Sequence, residues 1–234
     1  MIITCASSKG GVGKSTTVAC LAGAFGHIGL SVHVIDLDSN CTISRWFRDA
    51  AARPAAISVS NPDPQNLTEH LLMLAATTKP DLILIDVAGS YERALTVATA
   101  RAHMTIIPTA LTEADVFEAA KTANHIQQIF ASFGKDPLYR LLLTQVQQLT
   151  SHAQKHAARE IGRLRLPMLR NVLARRAAYE EIGLSGLPPH FADADRPTVS
   201  KALAELNALR DEIAALVGER EHKFTPLPAS GAAR

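Results

Sequence analysis

Cysteine is scarce in this chain. Only Cys5, Cys20 and Cys41 occur in 234 residues, with no CxxC spacing among them. An odd, sparse set of this kind excludes a disulfide framework and reads as reduced thiols. No run of 18 or more apolar residues is present, which excludes a membrane-spanning helix of ordinary length. The first residues, Met1-Ile2-Ile3-Thr4-Cys5-Ala6, carry no basic segment of the signal-peptide kind, so a cytoplasmic protein is expected. Aromatics are few, at 5%, and neither charge sign dominates, the net charge being +2. What is abundant is ordinary core material: 47% of residues are hydrophobic, too many for a disordered chain and enough for a core that needs no staple.

The near-zero net charge hides an asymmetry. Residues 1–117 hold 8 Lys and Arg against 10 Asp and Glu, and the remainder hold 16 against 12. The excess is densest at 151–180, where Lys155, Arg159, Arg163, Arg165, Arg170, Arg175 and Arg176 face only Glu160 and Glu180. Such a segment reads as a polyanion-binding face or as solvated helix surface.

Short β-branched runs alternate with helical patterns, the sign of an α/β domain with a parallel twisted sheet and helices on both faces. Strands are expected at 2–7, 31–36, 56–59, 81–86, 104–108 and 139–144. Helices are expected at 14–28, 42–52, 66–77, 92–102, 113–132, 151–164, 173–182 and 199–217. Leu82-Ile83-Leu84-Ile85 and Thr105-Ile106-Ile107 read as strands covered on both faces. One domain over 1–217 is expected, with 218–234, polar and then Pro-rich, as a flexible tail. Residues 219–234 show no amphipathic face, and Pro226 and Pro228 break a helix, so no membrane anchor is expected.

The first strand runs into Ser8-Lys9-Gly10-Gly11-Val12-Gly13-Lys14-Ser15-Thr16 and then a helix. This is the phosphate-loop pattern G-x-x-x-x-G-K-[ST] with Ser8 at the first glycine, in the strand–loop–helix context it requires. Glycines let successive N–H groups curl around phosphate oxygens, and the helix N-terminus adds partial positive charge. Lys9, Gly10, Gly11, Val12, Gly13, Lys14, Ser15 and Thr16 are therefore the candidate nucleotide-binding residues. Lys14 reaches the terminal phosphates and Ser15 is a candidate Mg²⁺ ligand. Downstream, Ile35-Asp36-Leu37-Asp38 ends the second strand in D-x-D, and Leu82-Ile83-Leu84-Ile85-Asp86 ends the fourth in a single Asp. Carboxylates at alternate positions of a strand end can face one metal–water site, or else cap a helix and a turn.

Lys9 and the motif around it resemble the deviant Walker A box, KGGxGK[ST], of the ParA/MinD family of P-loop ATPases. The resemblance implies ATP and Mg²⁺ as cofactors, Lys9 reaching across an ATP-sandwich homodimer, Asp36 and Asp86 beside the metal, Asp38 positioning the attacking water, and Gly89 near a γ-phosphate sensor. Lys9, Lys14 and Asp38 are then the catalytic set. Thr144-Gln145 falls where the family often reads adenine. The start at strand one, with no preceding helix-turn-helix, is similar to the small partition ATPases, and Ser44-Arg45-Trp46 resembles the VirC-type ATPases of T-DNA transfer. The iron protein of nitrogenase is excluded, since no cluster cysteine follows Cys41.

The function implied is DNA partition. ATP-bound dimers, nucleoid-associated, would bind duplex DNA non-specifically through Arg159, Arg163, Arg170, Arg175 and Arg176, with Lys201 and Arg210 as possible additions, and a small ParB-like partner would act with them. The alternative implied is a nucleotide-gated adaptor that recruits a protein partner, in conjugative transfer, secretion or MinD-like regulation of division. The nine histidines form no metal-ligand pattern: His152 and His156, four apart on one helix, read as solvated surface, and Trp46 reads as packing.

Overall fold

The computed structural model describes residues 1–48, 54–87, 92–147, 151–193 and 195–224. Its strands are β1 (Ile2–Ala6), β2 (Val32–Asp36), β3 (Ile57–Ser60), β4 (Leu82–Val87), β5 (Met104–Ala110) and β6 (Tyr139–Thr144). They form one six-stranded sheet in the order β3-β2-β4-β1-β5-β6, with every pairing parallel. The helices are α1 (Lys14–His27), α2 (Thr42–Arg48), α3 (Leu67–Ala76), α4 (Glu92–Arg101), α5 (Glu113–Ala131), α6 (His152–Arg163), the short α7 (Ala177–Glu180) and α8 (Ile182–Ser185), and α9 (Pro197–Phe224).

The period-2 alternation of a strand explains why the apolar runs are continuous. On β4, Leu82 and Leu84 join a core with α1, α2 and α9, while Ile83 and Ile85 join another with α3 and α4 on the opposite face. β5 and β6 repeat the division: Ile106 and Leu142 face α1 and α9, whereas Ile107, Leu141 and Leu143 pack under α5 and α6. Parallel pairing places the C-terminal ends of all six strands at one end of the sheet, where loops can share a ligand.

Two expectations need correction. Residues 173–182 are not one helix. Val146 donates its N–H to the Leu173 carbonyl and Arg175 donates to the Val146 carbonyl, so residues 167–175 lie along the outer edge of β6. Those backbone groups are committed to the sheet edge, which the segment covers, and the helical pattern survives only as α7 and α8. The last helix does not stop at Val217 either. α9 continues through Gly218 to Phe224, because an isolated glycine on an open helix face weakens a helix without ending it. Residues 225–234 lie outside the described residues, as do Gly89 and the end of the helix expected at 42–52.

Candidate nucleotide-binding site

The loop between β1 and α1 sits at the C-terminal end of the central strand. Gly11 and Gly13 hold φ of 78° and 85°, a region that disfavours a Cβ, and Gly13 is the N-cap of α1. No acidic side chain occupies the first turn of α1, so its positive end is left for an anion. Lys14 is buried, and its Nζ donates to the Lys9 carbonyl 3.0 Å away, across the loop.

Neighbouring elements brace this loop in ways that the sequence pattern did not announce. Thr144 Oγ1 donates to the Val12 carbonyl at 2.9 Å, and Gln145 Nε2 donates to the Gly11 carbonyl at 2.7 Å. Ser8, at the position of the missing first glycine, donates to Glu118 Oε2 at 2.8 Å. Lys9 forms an ion pair with Asp115 in the first turn of α5. Asp115 also accepts from the Thr112 hydroxyl at 2.6 Å. Thr112, Asp115 and Glu118 carried no motif; only the docking of α5 against the loop brings them there.

Asp36, Asp38 and Lys14 gather around Asp86. β2 and β4 pair with Asp36 opposite Asp86, and both side chains are fully buried. The Ser15 hydroxyl donates to Asp86 Oδ2 at 2.6 Å, while Asp86 Oδ1 is buried without a hydrogen-bond partner. Burial is the largest cause that pushes the Asp86 carboxyl up to about 7; Asp36 and Asp38 push the same way, against Ser15 and Lys14. Asp36 is differently placed. Its Oδ1 accepts from the Asp38 N–H at 3.2 Å and its Oδ2 from the Ser44 N–H at 2.9 Å, inside the first turn of α2. Asp38 is half-exposed and accepts from the Asn40 N–H at 2.9 Å.

The donor set suits a hard divalent cation at one place: the Ser15 hydroxyl beside an acid whose second oxygen is orphaned. Both Asp36 oxygens already hold the backbone that leads into α2, so the capping alternative describes its present geometry. Next to the loop lies a cavity of about 270 Å³ lined by Gly13, Thr16, Thr17, Thr144, Gln145, Arg175 and Tyr179 among others. It continues the loop toward the segment that covers β6.

The basic segment does not form one face. Arg163 pairs with Glu160 at 2.9 Å and lines the cleft between α5 and α6. Arg175, exposed, pairs with Glu180 at 3.3 Å and lines the cavity beside the loop. Arg176 is half-buried against Glu205 of α9, with two guanidinium nitrogens on its carboxylate, and Tyr179 donates to the same carboxylate at 2.8 Å. Arg176 thus ties the β6 edge segment to α9. Arg159 and Arg170 are exposed. The missed signal was the acid on the last helix: Glu205 and Glu212 both reach back, Glu212 accepting from the backbone N–H of Arg170 and Asn171.

A parallel sheet wound on both faces, with a glycine phosphate loop at its centre and acids ending its neighbours, defines a P-loop nucleoside-triphosphatase fold of the ParA/MinD type. The family model described as VirC1 protein matches residues 1–216, and the chain belongs to that family. A curated relative, protein virC1 of Rhizobium radiobacter, is 28% identical over 134 residues, covering 56% of this chain and 58% of the relative, so the match spans little more than half of that protein. Among solved structures, MinD from Aquifex aeolicus aligns with a TM-score of 0.65 at 16% identity, covering 98% of this chain and 99% of that one. A plasmid partition protein from Borrelia burgdorferi bound to AMPPNP aligns with a TM-score of 0.65 at 19% identity, covering 90% and 98%. No helix of the described residues is long and apolar enough to cross a membrane.

Proposed function

We propose that this chain is an ATP-dependent partition-type ATPase. The carrying observation is the convergence of Lys14, Ser15, Asp36, Asp38 and Asp86 at the mouth of one phosphate loop. Lys14, the loop N–H groups of 10–16 and the N-terminus of α1 bind the ATP phosphates. Ser15 and Asp86 hold Mg²⁺, which when bound neutralises phosphate charge. Asp36 fixes the backbone that presents Asp38, and Asp38 orients the water for hydrolysis. Lys9 leaves Asp115 and reaches the phosphates of a second subunit, so ATP drives a sandwich dimer and hydrolysis resets it.

The dimer binds duplex DNA without sequence preference through Arg159, Arg170 and other exposed cations of the second half, at the nucleoid, with a ParB-like partner as its stimulus. Doubling the subunit doubles the phosphates that one particle neutralises. A second reading is supported by membership of the VirC1 family together with the internal pairing of Arg163, Arg175 and Arg176: an adaptor for conjugative DNA transfer that recruits a protein partner, with DNA contact secondary.

Nucleotide binding and turnover test the chemistry. Lys14→Ala is expected to abolish Mg-ATP binding, whereas Asp38→Ala retains binding and loses most hydrolysis. Wild-type turnover in Asp38→Ala removes its assigned role. Anisotropy of labelled duplex DNA with ATP, ADP and no nucleotide then separates the readings, since no ATP-dependent binding at low salt leaves the adaptor.

A further inference from the structure

At the end of the sheet opposite the phosphate loop, the turn from α4 into β5, the end of α5 and the last turns of α9 surround a cavity of about 630 Å³. Phe130, Val217, Ala100 and Ala102 supply an apolar floor, and the Phe133 ring stands at its edge, 62% exposed. Arg101 and Lys135 are exposed at the rim, and Arg220, half-buried, donates to the Asp136 carbonyl. His103 completes the lining, with its Nδ1 accepting from the Ile2 N–H at 3.0 Å. Three of the nine lining residues are Arg or Lys and none is Asp or Glu, while Asp136 lies beside Arg220 and offsets that one cation. Arg101 also lies in the last turn of α4, where a cation complements the helix dipole. That accounts for one charge, and not for an exposed aromatic ring among several.

We propose that this cavity docks an acidic segment of a partner protein, its apolar anchor set against Phe130, Phe133 and Val217 and its carboxylates against Arg101 and Lys135. Charge complementarity selects this occupant. An apolar hollow with exposed cations at its rim suits a peptide that combines an apolar residue with the opposite sign. The chain's own residues 225–234 follow α9 directly but contain no Asp or Glu and one Arg, the wrong sign for this rim. A second copy seated on the same face would bring like cations together across a two-fold axis. Duplex DNA would use the cations and leave the rings unused. Because the strands are parallel, this site and the phosphate loop lie at opposite ends, so the segment and a nucleotide can be held together.

Anisotropy of a labelled short peptide, glutamates on one helical face and leucines with a phenylalanine on the other, tests this with the full chain, with and without ADP. Its controls carry lysine for glutamate or serine for the apolar residues. Phe133→Ser, and Arg101→Glu combined with Lys135→Glu, change exposed positions; unchanged circular dichroism and ATP binding verify the fold. The acidic peptide is expected to bind the wild type, to bind each variant about tenfold more weakly, and to outcompete both controls. Equal binding by the variants or by the serine control overturns the proposal. So does a fall in sedimentation mass in Phe133→Ser, which assigns the face to self-association. Tighter binding by a chain ending at 224 assigns it to the tail, and displacement of the peptide by duplex DNA assigns it to nucleic acid.

Discussion

The ammonium of Lys9 is paired with the carboxylate of Asp115 in the same subunit. Asp115 is buried at 7% exposure and Lys9 is 39% exposed, so the lysine end of the pair is the one free to swing. A residue proposed to act across a dimer interface is thus held at home by its own α5.

Removing the charge at 115 should therefore favour the dimer. Asp115→Asn keeps an oxygen for Thr112 and releases Lys9 from a pair worth about 1 kcal/mol, the scale of a partly exposed ion pair. Because each dimer frees two such lysines, the protein concentration for half-dimerisation with ATP is expected to fall roughly thirtyfold by light scattering, while Lys9→Ala fails to dimerise with ATP. An unchanged midpoint in Asp115→Asn means that the pair does not restrain assembly.

Asp36 carries structure before it carries chemistry. Asp36→Ala orphans the N–H groups of Asp38 and Ser44 and is expected to cost about 2 to 4 kcal/mol in denaturant unfolding without nucleotide or Mg²⁺. Asp36→Asn keeps one acceptor and should lose about half as much. Wild-type stability in Asp36→Ala would show that the two hydrogen bonds are not needed to hold the loop.

For the arginines, stability and DNA affinity should separate. Arg176→Ala strips the Glu205–Tyr179 network of its cation and is expected to destabilise the fold by about 1 to 3 kcal/mol with little change in the salt slope of DNA binding. Arg159→Ala with Arg170→Ala should leave stability alone and lower that slope by about 0.9 for each phosphate no longer neutralised. The reverse pattern returns Arg176 to the DNA surface.

A histidine cluster sets an acid limit. His33 is held between Ser58 and Ser60 at 2.7 and 2.8 Å, with His70 on the other side of Ser60. Burial, and then the neighbouring His70, lowers its pKa from 6.5 to about 4. Above 6.5 folded and unfolded chains are both neutral here. Between 6.5 and 4 the unfolded chain takes up a proton that the folded one refuses, so stability falls with pH through that window and levels below it. Thermal midpoints should show this slope in the wild type and a flatter one in His33→Gln; parallel slopes place the acid sensitivity elsewhere.

The sequence by itself determined the parallel sheet and the phosphate loop, because both are local. Apolar strands covered on two faces read as unbroken runs, and the loop needs glycines, a lysine and a hydroxyl at fixed spacing between one strand and one helix. It also put Asp36 and Asp86 at strand ends, leaving open whether Asp36 capped a turn or faced a metal. The tertiary structure decided what those side chains meet. Glu205 lies 29 residues beyond Arg176, yet the two share hydrogen bonds; α5 lies over 100 residues from the loop, yet it pairs Lys9 and braces Ser8. No periodicity records such pairings. A charge count treats each arginine as free, and only the packing of α9 against the β6 edge shows which of them is already neutralised.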